Sequence, residues 1–144
     1  MLTQIHFESF EDAHMKLCLE GSPRYNVIGS DKRGIISLKI TDSPYTYNKI
    51  LNGGNIVFFV GIGVKSADGV PIGNQVEERQ EPFLKRKRDG GVFPILHDDG
   101  RGVYVMGNYR VIDLIKKVTG SGFIYYHIKM YRAYDTPYRY KIEL

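Results

Sequence analysis

The stretch VYVMGNYRVIDLIKKV (residues 103–118), TGSG (119–122) and FIYYHIKMYRAY (123–134) decides the architecture of this 144-residue chain. Valine, isoleucine and tyrosine crowd both flanks, the side chains that suit a pleated, half-buried surface. Thr119-Gly120-Ser121-Gly122 supplies turn chemistry between them. The pattern predicts a long hairpin, Val103–Val118 against a last strand within Phe123–Tyr134. Just upstream, Val92–His97 reads as a short strand and Asp98-Asp99-Gly100-Arg101-Gly102 as a tight turn, so hairpins carry the C-terminal half.

Further out, Gly34–Ile40 alternates well enough for a strand. Asn55–Val64 is a more buried strand candidate, bounded by Asn52-Gly53-Gly54 and by Ser66-Ala67-Asp68-Gly69. Residues 74–88 form a polar, charged stretch of helical character that Pro82 interrupts or starts anew. Near the N-terminus, Ser9–Glu20 reads as a helix with Ser9 as N-cap and Gly21 as the stop. Phe10, His14, Leu17 and Cys18 would share its packed face. Sixteen glycines spread over turns suit a closed or strongly bent sheet.

The length corresponds to one core, and the hydrophobic and charged fractions, 42% and 25%, are those of a globular domain. A single cysteine, Cys18, excludes an intramolecular disulfide framework and a zinc site made of several thiolates. No apolar run has the length of a membrane span, and the polar opening residues resemble no secretory leader. An intracellular place is expected, nuclear if the host is a eukaryote or its virus. The net charge of +4 is uneven: residues 1–20 carry −3 and the remainder +7. A basic body points to a polyanionic partner, and an acidic helix lying over the basic face would compete with phosphates.

Several motifs have plain structural readings. Gly61-Ile62-Gly63 lacks the third glycine and the following helix of a dinucleotide site. His97-Asp98-Asp99 is more simply a hairpin end than a metal site, because His6, His14 and His127 show no ligand spacing with it. Lys85-Arg86-Lys87-Arg88 is the densest charge run and could displace counterions from a phosphate backbone, or be a solvated loop. The aromatics Tyr45, Tyr47, Phe58 and Phe59 offer flat faces for unstacked bases, although one of the adjacent phenylalanines must face the core.

Taken in order, these segments resemble the SRA domain, also called the YDG domain, over about three quarters of the chain, Val27–Arg132. The resemblance rests on Ile28-Gly29 with Gly34–Leu38, on Asn52–Gly63 ending in Gly-x-Gly, and on Gly73-Asn74-Gln75. Its most specific part is Gly107-Asn108-Tyr109-Arg110-Val111, the Gly120–Phe123 turn and the Tyr126–Arg132 strand. It implies a mainly β (α+β) fold, an SRA/PUA-like bent antiparallel β-barrel with short flanking helices. Residues 1–24 would be an acidic helical segment and 25–144 the SRA-like domain, within a single domain overall. Family members bind DNA and flip a modified cytosine between two aromatic rings, with a carboxylate reading its edge.

Carried onto this chain, the resemblance puts Tyr47 and Phe59 at the sandwich positions. Asn52 or Asp42 would read the base edge, with the backbone of Val60 and Gly61 adding hydrogen bonds. Lys65, Asn74, Gln75, Lys85, Arg86, Lys87 and Arg88 would hold or approach the DNA backbone. The family's acidic positions fall on Ile50 and Met106, and of the Tyr-Asp-Gly motif only Gly107 is present. Asn48 is a further substitute for the missing carboxylate. The implied function is a non-catalytic module for double-stranded, modified DNA, without cofactor, metal or membrane. Three other readings keep parts of this picture: a PUA-like reader of modified RNA or nucleotide, an interaction protein with a degenerate pocket, and a small metal-dependent nuclease.

Overall fold

A computed structural model describes residues 5–42 and 47–140. Strands β1 (Val27–Ser30), β2 (Gly34–Thr41), β3 (Lys49–Leu51), β4 (Ile56–Val60), β5 (Phe93–Asp98), β6 (Val103–Val118) and β7 (Ile124–Arg132) form one sheet in the order β1-β2-β5-β6-β7-β4-β3. The long hairpin has the predicted limits for β6, and the turns at 98–102 and 119–122 close through Asp99 N to Gly102 O and Thr119 N to Phe123 O. The sheet is largely antiparallel, as expected, with one parallel pair, β2 and β5. Parallel neighbours need a long crossover, and the chain from β2 to β5 supplies one through β3, β4 and a helix. The resulting architecture is mainly β, one seven-stranded sheet with two short helices.

Strand β6 serves two cores. Val103 and Val105 pack with Phe7, Ala13, Leu17 and Leu96. Tyr109 and Val111, also odd-numbered, pack in the main cluster with Ile35, Ile40, Phe59, Phe83 and Met130. Simple alternation would keep all four on one face. The phase changes at Met106, where the β5–β6 register passes from Leu96 opposite Val105 to Ile95 opposite Gly107. This extra residue is a β-bulge, and Gly107 takes φ +138° within it. A second shift at Ile112, between Val111 and Asp113, moves Leu114 onto the main core.

Helix α1 (Phe10–Leu17) begins where the sequence predicts, with the Ser9 hydroxyl accepting from Asp12 N at 3.0 Å. It ends before the expected Glu20, because Cys18 itself takes the left-handed conformation (φ +55°) and Leu19 N closes onto His14 O. Cys18 is therefore an exposed cap, not a packing residue. Ala13 and Leu17 press on β5 and β6, and Phe7 bridges Val103. The helix thus covers a hydrophobic face, and beyond it Glu20 pairs with Arg33 at 2.9 Å. Helix α2 (Glu81–Asp89) has Pro82 in its first turn and buries Phe83 against Phe59. The charge run 85–88 is accordingly helical, not a loop. Among the described residues no helix is long and apolar enough to cross a membrane.

A Gly107→Ala substitution is expected to lower stability by about 1–3 kcal/mol, since a side chain strains that backbone region. Urea unfolding of the variant measures it, and an unchanged midpoint would mean that the bulge does not depend on glycine.

Candidate nucleic-acid interface

The two sides of the sheet that end in β1 and β3 face each other across a cleft of about 260 Å³. It is lined by Asn26, Lys39, Thr41, Asn48, Ala67, Asp68 and Gly69. The β1–β2 side contributes the first three residues, Asn48 precedes β3, and the loop after β4 closes the wall. The wall is polar and carries one amide from each side, one carboxylate and one ammonium.

Two buried glutamines hold the loop after β4 in place. Gln75 donates from Nε2 to Gly61 O (2.9 Å) and accepts at Oε1 from Tyr126 N (2.9 Å). Gln80 brackets Ile62, accepting from its N and donating to its O, both at 2.8 Å. A Cβ on Gly61 would lie 2.6 Å from the Gln80 Oε1, and one on Gly63 2.7 Å from the Gln75 side chain. Gly-x-Gly is therefore the mark of two amides packed on the backbone, which agrees with rejecting a nucleotide loop. Asn74 accepts from Ile124 N at 2.8 Å. Asn74 and Gln75 both tie the loop to β7 and so support it.

Val60 is held at both ends, its N donating to Asn48 Oδ1 (2.7 Å) and its O accepting from Lys65 Nζ (3.4 Å). Gly61 N donates to Tyr126 O, so the backbone proposed to meet a base already has partners. Lys65 points inward over the Phe59 ring, 5.8 Å from its centroid, and not out toward phosphates. Burial, with Arg79 nearby, pushes its ammonium down to about 8. Burial also lowers Lys39 to about 8, and its amine donates to Tyr25 O at 2.8 Å.

The proposed aromatic sandwich is not assembled. Phe59 lies in the main core against Phe83, whereas Tyr47 packs its ring on Tyr125, 5.4 Å away. Tyr125 and His127 alternate along β7 with the core residues Ile128 and Met130, so the two proposed rings lie on opposite faces of the sheet. Tyr45 lies outside the described residues. Asn52 sits in the turn beyond the far end of β4, and Ile50 and Met106 pack on or in the main core. Asp42 accepts from His97 Nε2 at 2.6 Å, which leaves His97 Nδ1 to accept from the Tyr104 hydroxyl at 2.7 Å. That chain anchors the end of β2 and engages the carboxylate assigned to a base.

The basic run is also separate from the cleft. Lys85 and Arg86 pair with Asp89, Lys87 with Asp113 and Arg88 with Glu81. Arg86 further donates to Ile35 O near the start of β2, and the cleft lies at that strand's other end, ~13–20 Å along it. Sequence reasoning missed Lys39 and Asp68 as cleft residues. Lys39 reads as one polar position in an apolar strand and Asp68 as turn chemistry, so neither carries a local signal.

No family model matches the chain, and no curated protein matches it by sequence. Solved structures do match in fold. A SUVH5 SRA domain in a complex with hemimethylated CG DNA has a TM-score of 0.74 at 12% identity, with 96% of this chain and 93% of that one covered. The modification-dependent TagI restriction endonuclease gives 0.75 at 12%, covering 93% of this chain and 50% of that chain. KRYPTONITE in complex with mCHG DNA and SAH gives 0.70 at 14%, covering 95% and 33%. At these identities the likeness establishes the SRA-like fold.

The lysine shifts have a defined sign. Between about pH 8 and 10.5 the unfolded chain keeps protons on Lys39 and Lys65 that the folded chain has released, so these two groups make stability rise with pH in that window. Burial raises Tyr104, Tyr109, Tyr125, Tyr138 and Tyr140 above 10, which reverses the trend at higher pH. Denaturant titrations at pH 7, 8.5 and 9.5 are expected to show the rise, and Lys39→Met to flatten it. A flat wild-type profile would mean that the two ammonium groups are not desolvated.

Proposed function

We propose that this chain is a non-catalytic DNA-binding module that receives one modified cytosine, turned out of a duplex, in the cleft between the two sides of its sheet. The observation that carries this is the cleft itself: in an SRA-like fold it presents amide, carboxylate and ammonium groups on facing walls. The SUVH5 SRA domains of the same fold are in complexes with hemimethylated, fully methylated and hydroxymethylated CG DNA. Flipping brings a base to pocket groups that read its Watson–Crick edge. Asp68 is the carboxylate suited to accept from the cytosine exocyclic amine, and Asn48, whose Oδ1 accepts from Val60 N, is the amide that positions the facing wall. Asp68 replaces the carboxylate absent at Ile50. Phosphate contact is assigned to the exposed Arg79, beside the inward-turned Lys65, ahead of the paired cations of α2. A nuclear location belongs to this reading where the host has a nucleus.

A panel of duplexes with cytosine, methylcytosine and hydroxymethylcytosine, fully and half modified, tests the reading. Modified sites are expected to bind more tightly, and Asp68→Ala or Asn48→Ala to reduce that discrimination by about 1–3 kcal/mol. Equal affinity across the panel would overturn base reading. Arg79→Ala is expected to lower the salt slope more than alanine at any one of Lys85, Lys87 and Arg88 does.

A further inference from the structure

A second cavity, about 270 Å³, opens on the other side of Tyr47 and is lined chiefly by Tyr47, Lys49, Lys117, Thr119, Tyr125 and His127. We propose that this cavity binds a phosphate group. Its walls come from four places in the chain that the sheet brings together. Lys117 stands directly across from Tyr125 in the β6–β7 ladder, His127 follows two residues along β7, and Lys49 begins β3. Thr119 begins the turn that joins β6 to β7.

The charge balance singles this place out. No aspartate or glutamate lines the cavity, and among the described residues neither Lys49 nor Lys117 has a carboxylate partner. The cations of α2 and Arg110, by contrast, are paired. Both lysines act on His127, whose ring burial and these two charges hold below its ordinary value, so a neutral imidazole sits in a positive field. His127 Nε2 donates to Tyr47 O at 2.8 Å, so Nδ1 of the neutral ring carries a lone pair and offers an anion no donor; the positive field comes from the two lysines. An anion is what this balance lacks.

Phosphate fits the donors better than a planar carboxylate does. Two ammonium groups approach from different strands, and the Thr119 hydroxyl accepts from Phe123 N and so keeps its own proton to donate. Burial and Tyr47 raise the Tyr125 hydroxyl, which stays protonated as a donor at neutral pH. Charge-assisted bonds from several directions match the three or four oxygens of a phosphoryl group. The inference does not depend on the DNA reading, because this cavity lies across β3 from the cleft and inorganic phosphate alone can occupy it.

The test uses the full chain, isotope-labelled, with NMR resonances of the His127 ring and the Thr119 amide followed as sodium phosphate replaces sodium chloride at constant ionic strength. Saturable shifts are expected at both, with affinity weakened roughly tenfold or more by Lys49→Ala with Lys117→Ala. These lysines are exposed, so the variant is expected to keep its fold, which its remaining spectrum reports. Lys85→Ala with Lys87→Ala, an equal change in net charge, should leave the shifts intact. Absent or non-saturating shifts, or shifts indifferent to Lys49 and Lys117, would overturn the proposal. A 5′-phosphorylated dinucleotide binding better than its 5′-hydroxyl form would identify a terminal phosphate as the group held. Equal binding of the two would identify the phosphodiester, and failure of both dinucleotides together with inorganic phosphate would overturn the site.

Discussion

The bulge at Met106–Gly107 is the constraint on which the rest of this fold depends. A strand with uninterrupted alternation has one buried face, and β6 needs two. Its first residues must bury Val103 and Val105 under α1, and its middle must send Tyr109 and Val111 into the core beneath α2. One inserted residue exchanges the faces at little cost, because the backbone strain falls on a glycine at φ +138°. Tyr109 then reaches across the core to donate to Gly54 O at 2.6 Å, which fixes the turn before β4. The bulge thus gives a backbone reason for a glycine at position 107.

From that bend follows the position of the cleft. The sheet curls until the β1–β2 side and the β3–β4 side lie opposite each other, while Gln75 and Gln80 hold the intervening loop to β7 and α2. Each glutamine spends both its donor and its acceptor on backbone groups that would otherwise be buried unpaired, at about 1–3 kcal/mol apiece. The loop that closes the cleft is therefore rigid at its two ends, near Gly61 and Gln75. Its middle, Ala67–Gly69, forms the wall.

Most of the sheet was legible in the sequence because strands announce themselves locally. Alternation, β-branched residues and turn glycines gave β6 its limits and β2, β5 and β7 theirs within a few residues, and the Ser9 cap marked α1. The parallel β2–β5 pair was not legible, since nothing within either segment records which partner it takes. The site was less legible for the same reason. His97 and Asp42 are 55 residues apart, and only the folded chain shows that they engage each other. A run of four cations looks available in sequence, yet on a helix each finds a carboxylate, three or four residues off, across seven, or on β6. Counting back from Gly61 placed Tyr47 and Phe59 at comparable positions, but the strand's two-residue period sends them to different faces.

The lysines at the cleft carry the remaining argument. Among the described residues Lys39 and Lys65 have no carboxylate partner, and their ammonium groups donate to the carbonyls of Tyr25 and Val60. A carbonyl compensates an ammonium less well than an ion does, and the two groups accordingly titrate near 8 instead of 10.5. A core assembled for stability alone would hold methionine or leucine in such places. Unpaired, partly desolvated cations at the rim of a polar cleft are instead the arrangement in which an incoming anion removes a cost that the free protein bears.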